Sequence, residues 1–159
     1  MKTEESAEAN ASGSTLRSQF PVTVPDIFNF GYDGIDRWAQ HDRNKLAMIW
    51  VNQQGAERKY TFNDFSKLSN QAANLLLKVG ITKGDRVFLM LPRIPEWWIF
   101  SLALIKLGAV LCPTPVLLTP ADLQQRIQVG KFKMVITDLE NAPKFDEIFE
   151  ECPSLQSRL

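Results

Sequence analysis

One arginine stands in the stretch best suited to binding a ligand, "LPRIPEWW" from Leu91 to Trp98. Arg93 lies between two prolines, directly after an apolar run and directly before two adjacent tryptophans. A guanidinium in such a loop predicts a contact to an anion, either a phosphate or a carboxylate. The alternative is a solvated arginine that bonds loop carbonyls or pairs with Glu96, which is the commoner case for a single residue. Sequence alone leaves both interpretations open.

Few other side chains could do chemistry. His41 is the only histidine, so the chain contains no two-histidine metal site, and its setting "QHDRNK" predicts a solvated helix end. Cys112 and Cys152 form no Cys-x-x-Cys pattern, and Cys112 is expected to be a small core residue at the end of a strand. No P-loop, G-x-G-x-x-G or H-E-x-x-H motif occurs in the chain. The residues therefore predict no complete active site.

The two adjacent tryptophans could suggest a platform on which bases stack. Such platforms work together with a basic groove, and the sequence offers none around Trp97 and Trp98. We therefore expect both indoles in the core.

Composition sets the broad class of the chain. With 159 residues, 45% hydrophobic and 23% charged, it is expected to be one soluble globular domain or a piece of a larger one. The formal net charge of +0 argues against a nucleic-acid partner. Lys106 interrupts the longest apolar run, so no membrane span is predicted. Residues 1–24 are predicted to be a disordered tail without signal or presequence, which favours a cytoplasmic location.

Hydrophobic periodicity predicts the elements of the amino-terminal half. A short helix is expected from Asp33 to Gln40, followed by a β-hairpin in which Gly55 supplies the turn. Thr61 and Asp64 predict a capping box at the start of a longer helix that ends at Gly80. The inner face expected for that helix consists of Phe65, Leu68, Ala72, Leu75, Leu76 and Val79.

From Asp85 onward the pattern predicts alternating strands and helices, in the order β-α-β-α-β-α. The strands are "DRVFLML", "AVLCP" and "MVIT", and the helices begin at Pro95, Pro120 and Pro143. The second helix is expected to end before Gly130, and the third to carry Phe145, Ile148 and Phe149 on its inner face. The fold class is therefore α/β, a parallel-sheet subdomain preceded by a helix and a hairpin. Ligands of such sheets bind outside the carboxyl ends of the strands. Three connections, "PRIP", "TPVLLT" and "DLEN", are expected to share that edge.

Two longer stretches resemble the amino-terminal part of the adenylate-forming acyl-CoA synthetases. They read "YTFNDFSKLSNQAANLLLKVGITKGDRVFLMLPRIPEWW" and "LIKLGAVLCPTPVLLTPADLQQRI". "FNFGYDGIDRWA", "LPRIPEWW" and the final "ECPSLQSRL" are similar to the medium-chain branch of that family. The resemblance covers residues 28–159 and implies part of an adenylate-forming synthetase fold for residues 25–159.

The resemblance implies a two-step reaction for the parent enzyme, an ATP-dependent acid–CoA ligase. A medium-chain or branched short-chain carboxylic acid would react with ATP and Mg²⁺ to give an acyl-adenylate, which coenzyme A would convert into a thioester. The family's phosphate loop and catalytic lysine motifs do not occur in this sequence. We therefore expect the front part of such an enzyme, inactive alone and not binding these cofactors tightly.

The resemblance also implies a place for coenzyme A. In medium-chain relatives, the loop after the "AVLCP" strand approaches the cofactor through a polar residue, and Leu117 stands there in this chain. Because leucine offers no polar side chain, only a backbone contact from Val116 or Leu117 is expected.

An alternative to the enzyme hypothesis is that the chain is a non-catalytic α/β interaction module, which binds another protein. In both hypotheses, apolar residues around Trp97 and Trp98 are left without full cover, which predicts self-association through an exposed apolar face.

Overall fold

A four-stranded parallel sheet forms the centre of the molecule. The computed structural model describes residues 25–159, and the predicted tail over residues 1–24 lies outside them. The strands are β3 (Arg86–Met90), β4 (Val110–Pro113), β5 (Met134–Thr137) and β6 (Ser157–Arg158). Their order in the sheet is β4-β3-β5-β6, and every neighbouring pair is parallel. The predicted α/β class with a parallel sheet is confirmed.

Side-chain alternation along β3 divides the core between the two faces of the sheet. Val87 and Leu89 pack into one hydrophobic cluster, while Phe88 and Met90 pack into another. Both faces are covered, so all four side chains are buried. This explains why the strand is apolar without a polar–apolar pattern.

Two helices cover each face. The first face is covered by α2 (Phe62–Lys78) and α3 (Pro95–Leu107), and the second by α4 (Pro120–Gly130) and α5 (Ala142–Asp146). The predicted capping box of α2 is present, and α4 begins with a second one between Thr119 and Asp122. Each box supplies acceptors for backbone N–H groups that a helix leaves unpaired at its start.

The buried face of α2 differs from the predicted one. Leu75 and Val79 are exposed, whereas Ser69 and Ala73 are buried with Phe65, Ala72 and Leu76. Small residues at 69, 72 and 73 let α2 lie close to its neighbours, so the contact line passes through them rather than through the larger leucines.

A helical segment and a hairpin precede the sheet. A π-helix (Phe30–Asp36) continues into α1 (Arg37–His41), which corrects the predicted start at Asp33. Strands β1 (Leu46–Val51) and β2 (Glu57–Thr61) pair antiparallel as predicted, and Gly55 at φ 80° makes the turn.

A buried lysine joins this segment to α3. Lys106 Nζ lies 2.7 Å from Asp36 Oδ1 and 2.8 Å from Asn70 Oδ1, and its side chain is 0% exposed. Gly31 packs directly against the lysine stem, and a Cβ at that position would collide with Lys106 Cγ. The buried charge of Lys106 is therefore an internal link between the π-helix, α2 and α3.

Two helix ends in the carboxyl-terminal half differ from the prediction, and one strand there was not predicted. Helix α4 includes Gly130, and Lys131 instead takes the left-handed conformation at φ 49°. The last helix, α5, stops at Asp146, and a 3₁₀ turn (Phe149–Glu151) follows it. Strand β6 was not expected, because two polar residues give no strand pattern.

Within residues 25–159, no helix is both long enough and apolar enough to cross a bilayer.

Candidate functional site

Two of the three predicted loops meet in one cleft at the carboxyl edge of the sheet. The cleft has a volume of about 850 Å³. We call it the Arg93 cleft, and it is lined by Leu91, Pro92, Arg93, Trp97, Trp98 and Pro113–Leu117. All three candidate residues from the sequence, Arg93, Val116 and Leu117, therefore lie at one site.

The third loop, "DLEN", opens into a separate depression of about 690 Å³ between the ends of β3 and β5. There, Asp138 Oδ1 accepts hydrogen bonds from the backbone and side chain of Asn141, at 3.0 and 2.7 Å. Thr137 Oγ1 is buried beside this loop without a hydrogen-bond partner in the described residues. The expectation that three loops share one site is therefore met for two of them.

Arg93 projects from a loop that is fixed through its backbone. Its carbonyl accepts a 2.8 Å hydrogen bond from Trp50 Nε1 on β1, and its side chain is exposed. Within residues 25–159 the guanidinium has no ion pair or hydrogen bond, so the alternative pairing with Glu96 is not formed. A positive charge is thus available at the rim of the cleft.

Both tryptophans line the cleft, and the expectation that they lie in the core is met only in part: Trp97 is half-buried against the core, whereas Trp98 is exposed. Trp98 is 38% exposed, and its ring meets that of Trp97 edge to face with centroids 5.3 Å apart. The two rings touch because they stand at consecutive positions on α3. The cleft therefore has an aromatic wall.

Val116 and Leu117 occupy the opposite wall, in a turn after β4. Leu117 is 88% exposed, and the Val116 carbonyl accepts a 2.7 Å hydrogen bond from Lys144 Nζ on α5. Sequence reasoning missed both Trp50 and Lys144 because each acts on a backbone atom far along the chain, for which no sequence pattern exists.

The remaining reactive side chains do not reach the cleft. His41 is exposed at the end of α1, as predicted, and contacts Trp38. Cys112 is half-buried rather than a core residue, since β4 is an edge strand of the described sheet. Burial raises the pKa of both the Cys112 and Cys152 thiols, which keeps them protonated at neutral pH.

The residues at the site bear on two groups that the family resemblance implies, Mg²⁺ and coenzyme A. Within residues 25–159, no three His, Cys, Asp or Glu side chains converge to hold a metal ion, and no residue there is assigned to Mg²⁺. Coenzyme A fits better, because the Arg93 cleft offers a cation, aromatic faces and loop amides.

Comparison with known proteins agrees with this architecture. Residues 35–158 match the family described as AMP-binding enzyme. The chain is 42% identical over 142 residues to acyl-coenzyme A synthetase ACSM5, mitochondrial, of Mus musculus, a match covering 86% of this chain and 25% of the relative. It is 34% identical over 151 residues to acyl-coenzyme A synthetase ACSM3, mitochondrial, of Homo sapiens, covering 91% and 26%. The chain thus spans about a quarter of the length of these relatives.

Solved structures show the same fold. The anthranilate CoA ligase AuaEII in complex with anthranoyl-AMP superposes with a TM-score of 0.75 at 25% identity, over 85% of this chain and 25% of that one. A Mycobacterium tuberculosis fatty acyl CoA synthetase gives 0.74 at 25% identity, over 82% and 26%.

These matches confirm the predicted resemblance to acyl-CoA synthetases of the medium-chain branch. The relatives are named as mitochondrial, so they do not support the predicted cytoplasmic location. Since the family match covers most of residues 25–159 and the fold agrees, the chain belongs to the AMP-binding enzyme family.

Proposed function

We propose that this chain provides the amino-terminal portion of an ATP-dependent acid–CoA ligase. In that reaction a carboxylate attacks the α-phosphate of ATP, releasing pyrophosphate and forming an acyl-adenylate. The thiol of coenzyme A then attacks the acyl carbon, losing its proton, and AMP leaves. The proposal is supported by membership of the AMP-binding enzyme family together with relatives named acyl-coenzyme A synthetases.

The observation that carries the proposal for these residues is the Arg93 cleft. Its two loops follow neighbouring parallel strands, which is the place where α/β sheets bind ligands. Arg93 would hold an anionic group of coenzyme A, and the Val116–Leu117 backbone would contact the cofactor. No residue of the chain is assigned to the bond-making steps.

ATP and Mg²⁺ enter only as requirements of the whole reaction. The sequence has no phosphate loop, and no metal cluster forms within residues 25–159. No residue of the described chain is assigned to binding either group. The proposed acid is medium-chain or branched and short, and inactivity of the 159 residues alone is part of the proposal.

A chimera tests the function. Residues 25–159 would replace the region of mouse ACSM5 that aligns with them, and ATP–pyrophosphate exchange would be measured with hexanoate and isobutyrate. We expect exchange by the chimera, because the matched region keeps the fold, and none by the isolated chain. Mouse ACSM5 itself provides the positive control.

Two results would contradict the proposal. One is exchange by the isolated chain, which would show a complete site within 159 residues. The other is a chimera that folds, as shown by circular dichroism and a cooperative melt, but exchanges with neither acid. If the chimera does not fold, the same replacement in human ACSM3 gives a second background.

The exposed apolar side chains favour a second candidate, a non-catalytic interaction module. Leu117 is 88% exposed and Leu139 is 95% exposed at the same edge of the sheet. Such residues fit an interface as well as a binding site. An inactive but folded chimera, together with self-association of the chain, would favour this candidate.

The cellular location stays a prediction. The sequence predicts the cytoplasm, whereas the mitochondrial names of the relatives support the mitochondrion as the proposal to test. Fractionation of cells that express the tagged chain decides between them.

A further inference from the structure

Lys144 makes a contact that the proposed function leaves unused. Its ammonium lies 2.7 Å from the carbonyl oxygen of Val116, 28 residues away. It forms no ion pair with any carboxylate of residues 25–159, so this carbonyl is its hydrogen-bond partner in the described structure. A hydrogen bond from a charged donor is stronger than a neutral one, and here it acts on a single peptide group.

The element that bears Lys144 is held firmly. Phe145 is 0% exposed beneath α5, and the preceding Asn141 is buried and bonded to Asp138. An ammonium on such an anchored segment can fix the orientation of the peptide it contacts.

The peptide in question joins Val116 to Leu117. In a trans peptide the C=O and the following N–H point in opposite directions, so holding the Val116 carbonyl toward Lys144 directs the Leu117 N–H away from it. That N–H has no acceptor within residues 25–159, and Leu117 lines the Arg93 cleft. An unpaired backbone donor at a ligand cleft is ready to bind an acceptor.

We propose that Lys144 is a positioning residue that presents the Leu117 amide to the Arg93 cleft as a hydrogen-bond donor for coenzyme A. This rests on the proposed function for the identity of the ligand. The acceptor is an oxygen of the cofactor, either a carbonyl of its pantetheine arm or a phosphate of its adenosine bisphosphate half.

The first experiment needs no ligand. Backbone NMR resonances of the isotope-labelled chain would be compared with those of Lys144→Met, which keeps the apolar stem, and Lys144→Arg, which keeps the charge. We expect the Val116 carbonyl and Leu117 amide resonances to move in Lys144→Met and to stay near their native positions in Lys144→Arg. Unchanged resonances in a folded Lys144→Met protein would overturn the positioning role.

The second experiment adds coenzyme A, pantetheine and adenosine bisphosphate in separate titrations. We expect the Leu117 amide proton to shift downfield with coenzyme A. It should also shift with whichever half of the cofactor carries the acceptor oxygen, pantetheine or adenosine bisphosphate, and not with the other half. Losing one hydrogen bond of about 1 kcal/mol corresponds to a dissociation constant about fivefold higher in Lys144→Met. Lys144→Arg should restore most of the affinity.

Lys133→Met is the matched control. Lys133 Nζ also donates to a backbone carbonyl, that of Gly80 at 2.8 Å, and in addition pairs with Asp85, but it lies at the amino edge of the sheet. Its loss should lower the urea midpoint without changing the Leu117 amide or the coenzyme A titration. A Lys144→Met variant that likewise lowered the urea midpoint but left the Leu117 amide and the coenzyme A titration unchanged would show a merely structural role and overturn the proposal.

Different results would contradict the positioning role of Lys144 and the binding of coenzyme A at the Arg93 cleft. If coenzyme A shifts no cleft amide of the native chain, the proposed cofactor contact is wrong, while the ligand-free spectra still decide the role of Lys144. If coenzyme A shifts Arg93 and Trp98 but not Leu117, and Lys144→Met binds as tightly as the native chain, only the inference is wrong. If Lys144→Met does not fold, Lys144→Gln replaces it in both experiments. The shift of the Leu117 amide that coenzyme A causes in the native chain then still tests the contact to the ligand.

Discussion

The side chain of Lys106 lies wholly out of water, which is rare for lysine unless the charge is paired. The sequence shows it only as a break in an apolar helix. Its partners Asp36 and Asn70 lie 70 and 36 residues away, so no local pattern could identify them. The same limit applies to Lys144 and Trp50, whereas Arg93 was found because its loop follows a recognisable strand.

Removing the Lys106 charge should be costly. Lys106→Met leaves the Asp36 carboxylate, with a side chain only 15% exposed, without its cation. We expect a loss of about 3 kcal/mol in the free energy of unfolding, the lower end for a broken buried pair, because Asp36 retains some access to water. Urea denaturation measures the change.

The double variant Lys106→Met with Asp36→Leu is the control. Replacing both partners with apolar side chains removes the unpaired charge, so most of the lost stability should return. Equal destabilisation in the single and double variants would show that the lysine acts through packing alone.

At the scale of elements, three aspartates stabilise the start of a helix or turn in the same way. The carboxylate of each accepts a hydrogen bond from the backbone N–H of the threonine three residues before it. Asp64 and Asp122 complete capping boxes with Thr61 and Thr119, and Asp85 bonds Thr82 and Lys133. Hydrogen bonds from Thr61 lower the pKa of Asp64 and those from Thr119 lower that of Asp122, while Lys133 is the main cause of the lowered pKa of Asp85.

These lowered pKa values predict an acid-sensitive fold. A carboxyl group whose pKa is lower in the folded state adds stability above its unfolded pKa of about 3.9, and that stability is lost as the pH falls through the folded pKa. The urea midpoint should therefore fall as the pH drops below about 5 and through the lowered pKa values of these carboxyl groups. Asp64→Asn should reduce stability near neutral pH and flatten this acid-side slope, and a slope identical to that of the native chain would contradict the assignment.

Elements with strong local signals were predictable. The buried strands β3 and β5, the hairpin and both threonine caps follow from apolar runs, turn glycines and the spacing of threonine to aspartate. Strand β6 has no such signal, because Ser157 and Arg158 pair with β5 only through their backbone. The sequence predicted that α4 ends before Gly130, but the helix includes that glycine, because Lys131 adopts the left-handed conformation at its end.

For the whole molecule, the sheet is covered on both faces but its carboxyl edge remains open. Leu117, Leu139 and Trp98 are all exposed along that edge. The sequence predicted an uncovered apolar surface around the tryptophans. It could not show which apolar residues would be left outside, since that depends on how the helices pack.

Self-association should depend on this edge. In sedimentation velocity experiments over a range of concentrations, the chain is expected to form larger species, and Leu117→Ser combined with Leu139→Ser should suppress them. Val129→Ser is the matched control, because Val129 is 81% exposed on α4 away from the Arg93 cleft. Purely monomeric behaviour, or equal suppression by the control, would contradict the prediction.

The hydrogen bond from Trp50 to Arg93 has one more consequence. The chain has four tryptophans, and three of them meet at the Arg93 cleft, Trp97 and Trp98 as its wall and Trp50 behind its loop. Indole emission depends on the polarity and hydrogen bonding around the ring. Most of the tryptophan fluorescence of this protein therefore comes from around the Arg93 cleft. Its emission wavelength and intensity should report ligand binding in that cleft without an added label.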